Sequence, residues 1–506
     1  MAGGRGGGRV RVRLPGMSRA ELASLDEMTA RLERALAASP ADTTEIVWIE
    51  ARRTQATAGR GRRDAARATG PGGRAPCERN LLVRVRQSGR TGLHRTGGVE
   101  PSELENAVRD AVAQARLAPP TPGEPLAGGP AAAAASGGPG PGRGDAIYDP
   151  ELGELDAVRA RALLDGAAER GELLRLAWVE GRVALVNSAG LRQAARMTAA
   201  SFEASCGRGA GAGRAAGAAR RLDTLYLQDT LDRARGRHVA APASPAGIAG
   251  TAGTGRAAAE DAVDAADALA PDAPETPDAA AGRARLPTVL SEQGAAALVA
   301  LLNRHALSAA AQRDPGCGLH GRLGGPVLAS CLSLRDDGTD PRALPFPFDL
   351  AGWPKRQVDL FVDGVFATPA VDARLAAEIG RPPTPHSMAP DESIAANLLL
   401  LPGDREPLPE AELLRQAADG LWIGALDGLE CFDPRRLRFR ARARGVRRIA
   451  GGALGPPLPD FLWEDDLLAV LARAAALGDR PATIATGDML FGATAAPLLA
   501  LRAAEG

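Results

Sequence analysis

The apolar positions of the chain fall into three stretches, separated by two that contain almost none. Residues 18–38 place Leu22, Leu25, Met28, Leu32 and Leu36 at helical spacing, which predicts an amphipathic helix. Glu45–Glu50 and Leu81–Arg86 read as strands. The turn Gln87-Ser-Gly-Arg90 leads to a return strand near Gly92–His94, and Glu100–Leu117 reads as a helix. These elements predict an N-terminal α+β domain over 18–117. In the second stretch a helix is predicted over 151–170. A hairpin of Leu176–Val179 with Val183–Val186 follows, then the turn Asn187–Gly190, a strand over Gln193–Glu203 and a helix over 219–236. This is a central hairpin–helix domain, 146–236. The third stretch, 287–506, opens with a strand at Thr288–Leu290 and a helix over 292–311. Many short strands follow, with hairpin signals at Val362–Val365, Leu426–Leu429 and Ile449–Gly452. The predicted fold class is α+β, with a β-rich C-terminal domain.

The two apolar-poor stretches, 118–145 and 237–286, are built from Ala, Pro, Gly and Asp, and they read as linkers that cannot bury enough to order themselves. Residues 1–17 are rich in Gly and Arg and read as a disordered extension. They lack the apolar segment of a secretion signal, and Met17 opens a more regular sequence that is a candidate start. No run of 18 apolar residues occurs, so no membrane-spanning helix is expected.

Composition adds constraints. Of 506 residues, 45% are hydrophobic, which is a globular value, whereas aromatics are only 3%. Lysine occurs once, at Lys355, so arginine carries almost all the basic charge. Lys+Arg and Asp+Glu are both 61, so no net field draws nucleic acid or acidic membranes. The cysteines, at 77, 206, 317, 331 and 431, are odd in number and include no CxxC pair. They point to a reducing, cytoplasmic compartment.

Several segments, taken in order, resemble the TldD/PmbA family, also called modulators of DNA gyrase. They are Leu82-Val-Arg-Val with Gly89-Arg-Thr-Gly92, and Leu185-Val-Asn-Ser-Ala-Gly-Leu191. Further along come Leu334-Arg-Asp-Asp-Gly338 with Phe348-Asp-Leu-Ala-Gly-Trp-Pro354, Asn397-Leu-Leu-Leu-Leu-Pro-Gly403, and Gly420-Leu-Trp-Ile423. The match spans roughly residues 40–490. Asp-Gly stands where the family has Asp-Pro, and Ala351 stands where an acid is usual.

The resemblance implies a zinc peptidase site in the active branch. His-Glu-x-x-x-His lies on the helix opening the C-terminal domain, and a late cysteine is the third ligand. Here the corresponding helix offers His305 at the second histidine, but Ala300 and Leu301 replace the first histidine and the glutamate, and no cysteine follows Cys431. No catalytic residue and no metal ligand set is therefore expected; His305 reads as a partly buried helix residue and a remnant of the motif. Cys317-Gly-Leu-His320 could bring soft ligands near His305, yet its spacing matches no zinc motif. The glycine-rich run Gly207–Gly217 breaks the dinucleotide pattern at Ala216. Asp336, Asp337 and Asp349 are paired carboxylates on paper and read better as turn and loop residues.

Arg436, Arg438, Arg440, Arg442 and Arg444 alternate with apolar residues, which puts five guanidinium groups on one face of a strand. They form either a solvated outer face or an interaction face for an acidic partner or peptide. The resemblance thus implies a PmbA/TldE-like, metal-free subunit of a TldD/TldE-type metallopeptidase assembly. Its partner would be a zinc-bearing TldD-like subunit or a second copy, its substrates unfolded or leader peptides, with zinc on the partner subunit. The alternative is a self-associating scaffold that binds peptide or protein without proteolysis. Neither membrane nor nucleic acid is expected as a partner.

Overall fold

A computed structural model describes residues 24–59, 77–121, 123, 126–128, 147–169, 171–207, 211–238, 282–389 and 392–504. The extension 1–17, most of the linker expected over 118–145 and residues 239–281 of the linker expected over 237–286 lie outside the described residues. The first half of the chain is organised by one antiparallel sheet. Its strands are β1 (Thr43–Ala58), β2 (Cys77–Gln87), β3 (Arg90–Thr96), β4 (Glu172–Asn187), β5 (Arg192–Cys206) and β6 (Gly213–Ala219). They lie in the order β3-β2-β1-β4-β5-β6. The two units expected at 18–117 and 146–236 therefore share a sheet. The reason is β1, which is long enough to pair with β2 along one edge and with β4 from Glu45 to Ala58 along the other.

Strand periodicity assigns the two faces of this sheet. On β4, Leu174, Leu176, Trp178, Ala184 and Val186 point to the helices, and Val179, Val183 and Leu185 point to the C-terminal half. Helices α1 (Leu25–Ala37), α2 (Pro101–Leu117), α3 (Ala157–Ala167) and α4 (Leu227–Gly236) cover the first face. The second face packs on Leu344, Phe346, Phe348, Leu350 and Leu490. The hairpin expected between Val179 and Val183 is not formed. The strand runs straight through Gly181, and a Cβ there would collide with the buried Leu490 side chain. The helix expected over 219–236 starts only at Leu227, because β6 extends to Ala219 and a turn follows.

The C-terminal half contains two six-stranded sheets. The first, in the order β10-β9-β8-β13-β22-β21, is built from β8 (Leu332–Asp337), β9 (Gln357–Val362), β10 (Val365–Phe366), β13 (Leu398–Pro402), β21 (Ala482–Ile484) and β22 (Thr494–Ala496). The second, in the order β18-β17-β14-β7-β23-β20, is built from β7 (Thr288–Leu290), β14 (Leu421–Ile423), β17 (Arg447–Ala450), β18 (Ala453–Pro457), β20 (Ala474–Leu477) and β23 (Leu499–Leu501). A ribbon of β11 (Ser387–Ala389) and β12 (Glu392–Ser393) flanks them. A three-stranded sheet of β15 (Ala425–Asp433), β16 (Arg438–Arg444) and β19 (Phe461–Asp466) completes the half. Leu332, Leu360, Phe361, Ile423, Phe439 and Trp463 meet in one core with helix α5 (Glu292–Leu302).

The hairpin signal at Asp363-Gly364 forms the β9–β10 turn, both residues having positive φ as a type I′ turn requires. Asp427-Gly428 instead sits inside β15, where the register shifts between Asp427 and Glu430; it is a bulge and not a turn. The chain is thus an α+β protein with a strand-rich C-terminal half. Among the described residues no helix is long and apolar enough to cross a membrane.

Candidate functional site

Helix α5 carries the motif remnant, and both of its ends are held from a distance. At its start Ser291 caps the helix, accepting from Gly294 N at 3.2 Å and donating to Gly424 O at 2.6 Å. Glu292 in the first turn is buried. It accepts two hydrogen bonds from Arg237, Nη1 to Oε2 and Nη2 to Oε1, both 2.9 Å, and a third from Arg233 at 3.3 Å. Burial pushes the Glu292 carboxyl up, but Arg237 and Arg233 outweigh it and hold the group below the usual carboxylate range. Arg237 also lies over the Trp422 ring, 4.9 Å from its centroid. Arg237 falls in the linker expected over 237–286, but a buried ion pair, not an apolar run, fixes it.

At its other end α5 widens into one π turn, Asn303–Leu307. Asn303 clamps that turn, Nδ2 donating to Ala395 O at 2.6 Å and Oδ1 accepting from Ala395 N at 3.2 Å. The expected helix over 292–311 is thus broken, resuming only at Ala309–Gln312.

Between these ends, Gln293, Ala297, Ala300 and Arg304 recur at helical spacing along one face of α5. They form the floor of an open cleft of about 570 Å³. Ser201 and Glu203 of β5 and Ala216 of β6 form one wall; β15, from Ala425 to Cys431, and Ile484 of β21 form the others. Leu301 and His305 complete the floor, so Ala300, Leu301 and His305 all border the cleft.

The donors there do not fit a zinc ion. Of the soft ligand types the cleft offers only His305 and Cys431. Burial pushes the Cys431 thiol up, away from the thiolate that zinc binds; burial and the charge of Arg304 keep the His305 imidazole in its neutral form. Among the described residues no three His, Cys, Asp or Glu side chains gather where they could hold a metal ion. Cys317 and His320 do not line this cleft. Cys317 packs against the core, and the His320 ring lies 2.7 Å from Gln312 O through Nδ1.

Asp336 has a different role from its neighbour. It is fully buried, its Oδ1 accepting from Asn397 N at 2.7 Å and its Oδ2 standing 3.4 Å from Lys355 Nζ and 3.2 Å from His386 Nε2. Burial raises the Asp336 carboxyl, yet Lys355 and His386 reverse this and hold it well below the carboxylate range. Burial holds His386 low, and its Nδ1 lies 2.6 Å from Thr384 Oγ1. Lys355 and His386 were not singled out in the sequence. The one lysine of an arginine-rich chain was the available signal.

Asp337 and Asp349 do take turn and loop roles. Asp337 Oδ1 accepts from Thr339 N at 2.9 Å. Asp349 accepts from the backbone N–H groups of Ala351, Trp353 and Ser387.

The arginine row is partly as expected. Arg438, Arg440, Arg442 and Arg444 lie on β16, but Arg436 lies in the preceding turn. Acids stand opposite on both neighbours: Arg440 pairs with Glu430 and faces Glu464, and Arg444 reaches Asp427 at 3.2 Å and Asp460 at 2.9 Å. The face is therefore a mixed ladder and not a purely basic strip. In the glycine-rich run, residues 208–210 lie outside the described residues. Gly213 lets α4 close on β6, for a Cβ there would meet Ala234 O.

Residues 283–505 match the family described as the PmbA/TldA metallopeptidase C-terminal domain. The whole-chain fold is similar to that of three crystal structures. A candidate modulator of a DNA gyrase from Thermotoga maritima MSB8 is 17% identical, with a TM-score of 0.68 over 95% of this chain and 99% of that one. TldE from Thermococcus kodakarensis is 16% identical, with a TM-score of 0.65 over 95% and 99%. A second candidate gyrase modulator, from Bacteroides thetaiotaomicron VPI-5482, is 14% identical, with a TM-score of 0.66 over 94% and 97%. No curated protein sequence matches the chain.

Proposed function

The chain belongs to the TldD/PmbA family, a metallopeptidase-like type, and on that premise we propose that it is the metal-free, non-catalytic subunit of a TldD/TldE-type peptidase assembly. The observation that carries this reading is the contrast within α5. Ala300 and Leu301 occupy the cleft positions where the resemblance implies a ligand and a base, while Ser291, Glu292 and Asn303 still hold the helix in place. A position without chemistry but with its supports intact fits a subunit kept for its surfaces. The substrates in this reading are unfolded or leader peptides, and the zinc belongs to a TldD-like partner or an equivalent second subunit. A cytoplasmic setting is part of this reading, in keeping with an odd number of cysteines and no CxxC pair.

The test mixes the purified chain with a zinc-bearing TldD-like subunit and follows cleavage of an unfolded peptide. Expected are no stoichiometric zinc and no cleavage by this chain alone, and activity of the mixture well above that of the partner alone. Ala300→His with Leu301→Glu is expected not to confer activity unless Cys431, the other soft donor on the cleft, serves as third ligand, which adding Cys431→Ser to that variant checks. Zinc-dependent cleavage by the chain alone, abolished by His305→Ala, would overturn the reading. Partner activity unchanged by this chain would favour a self-associating scaffold.

A further inference from the structure

Strand β15 is the edge of its sheet, laddered to β16 on one side and to no strand on the other among the described residues. On either side of its bulge three successive residues, Ala425–Asp427 and Leu429–Cys431, border the cleft, so both side-chain parities do. A strand shows successive side chains to opposite faces. When residues of both parities border one space, the strand's edge adjoins it, with its row of backbone donors and acceptors. Such an edge is a template for an added strand.

Opposite the edge the floor is apolar at its centre: Ala297, Ala300 and Leu301 on α5, with Ile484 beside them. The charges around it are unequal. Each carboxylate on the cleft has an arginine partner: Glu203 with Arg175, Asp427 with Arg444 and Arg214, and Glu430 with Arg440. Arg304, exposed at the end of the floor and next to His305, pairs with no carboxylate among the described residues. The uncompensated charge of the cleft is therefore positive.

From this arrangement we propose that the cleft is a peptide-binding groove of this chain itself. It takes an extended segment that pairs along β15, seats an apolar side chain on Ala297, Ala300 and Leu301, and sets a carboxylate against Arg304. The volume, about 570 Å³, falls in the range of roughly 300–1,000 Å³ typical of ligand sites. The inference rests on the peptide-handling reading above and adds the class of segment bound. In the active branch this ground is implied to hold a metal; here Ala300 and Leu301 make it a seat for carbon, with a neighbouring guanidinium as the only unspent charge.

The test is direct binding to the isolated full chain, without a partner subunit, followed by fluorescence anisotropy. The probe is a fluorescein-labelled seven-residue peptide of Gly and Ala with a central Leu followed by Asp. Saturable binding is expected, at least tenfold weaker when Leu becomes Ala or Asp becomes Asn. Proline at alternate positions, which removes backbone donors, abolishes it. Arg304→Glu weakens binding at least tenfold, and a probe with Lys in place of Asp then binds that variant better than it binds the native chain. Ala300→Glu also abolishes binding of the original probe; both positions face the cleft, and thermal unfolding of each variant checks that the fold is kept. Binding indifferent to Arg304→Glu and to the Asp-to-Lys exchange would overturn the proposal, as would no saturable binding. Loss of this binding with peptidase stimulation intact sinks the groove alone. Binding without stimulation leaves the groove and sinks the assembly reading.

Discussion

Arg220 is the side chain whose removal would test the architecture most sharply. It follows β6 and is buried, and it uses all five of its N–H donors on backbone carbonyls. Nε donates to Pro345 at 3.0 Å; Nη1 donates to Thr198 at 3.2 Å and Met489 at 3.3 Å; Nη2 donates to Leu344 at 3.1 Å and Leu490 at 3.0 Å. Four of these acceptors belong to the C-terminal half, so one guanidinium fastens the long sheet to it. Burial pushes the group down to about 9, which still leaves it charged at neutral pH. Arg220→Met strands five acceptors at about 1 kcal/mol each, and relief of the buried charge returns part of that sum, leaving a net loss of about 3 kcal/mol. For a chain of about 500 residues, with unfolding entropy near 2.1 cal/mol/K per residue, this lowers the melting temperature by about 3 °C. Arg220→Lys is also destabilised, since one ammonium offers three donors in place of a planar fork. Calorimetry and urea titration measure both. A Met or Lys variant within about 1 °C of the native chain would refute the fastening role.

Two further outcomes follow from buried charges. Burial raises Asp349 to about 6, against 3.8 for an ordinary aspartate, with its three backbone donors and Lys355 pulling the other way. A folded value above the unfolded one means that the folded state holds the extra proton. The contribution is therefore complete below about pH 4 and is lost as pH rises through about 6; it amounts to about 3 kcal/mol. Urea titrations of the native chain and Asp349→Asn between pH 4 and 7 should show the native chain losing ground as pH rises, and a constant gap would contradict this. Lys355→Met leaves the Asp336 carboxylate buried without its cation, held only by the Asn397 N–H and the His386 ring, and should cost about 3–5 kcal/mol at pH 7, read as a shift in the urea midpoint.

What could be read from the sequence was what side-chain periodicity encodes. Helices α1 and α2, the β2–β3 hairpin and the β9–β10 turn follow from local spacing and turn residues. What could not be read depends on contacts between distant segments. The hairpin expected between Val179 and Val183 is instead one straight strand, and nothing nearby reveals that Leu490 packs against Gly181. Arg237 looked like linker because its partner, Glu292, is across a stretch of 55 positions. Asp427-Gly428 has the composition of a hairpin turn, but the pairing partner available to β15 is β16, and the pair is absorbed as a bulge. The same limit hid Lys355 and His386, whose shared acceptor is visible only once β8 is placed.

The supports of α5 bear on why its chemistry could change without loss of the fold. Ser291, Glu292 and Asn303 bind groups on β14's flank, on α4's end and before β13, and none of them points into the cleft. The cleft residues Ala297 and Ala300 contribute little to holding the helix, since their neighbours Leu298, Val299 and Leu302 supply the buried side. Positioning and chemistry are thus carried by different faces of one helix. Substitution on the open face changes which groups the cleft presents, at little cost in stability. Substitution of the supports would move the whole face. In the proposed reading, that separation is what would let the cleft lose its catalytic groups and keep its shape.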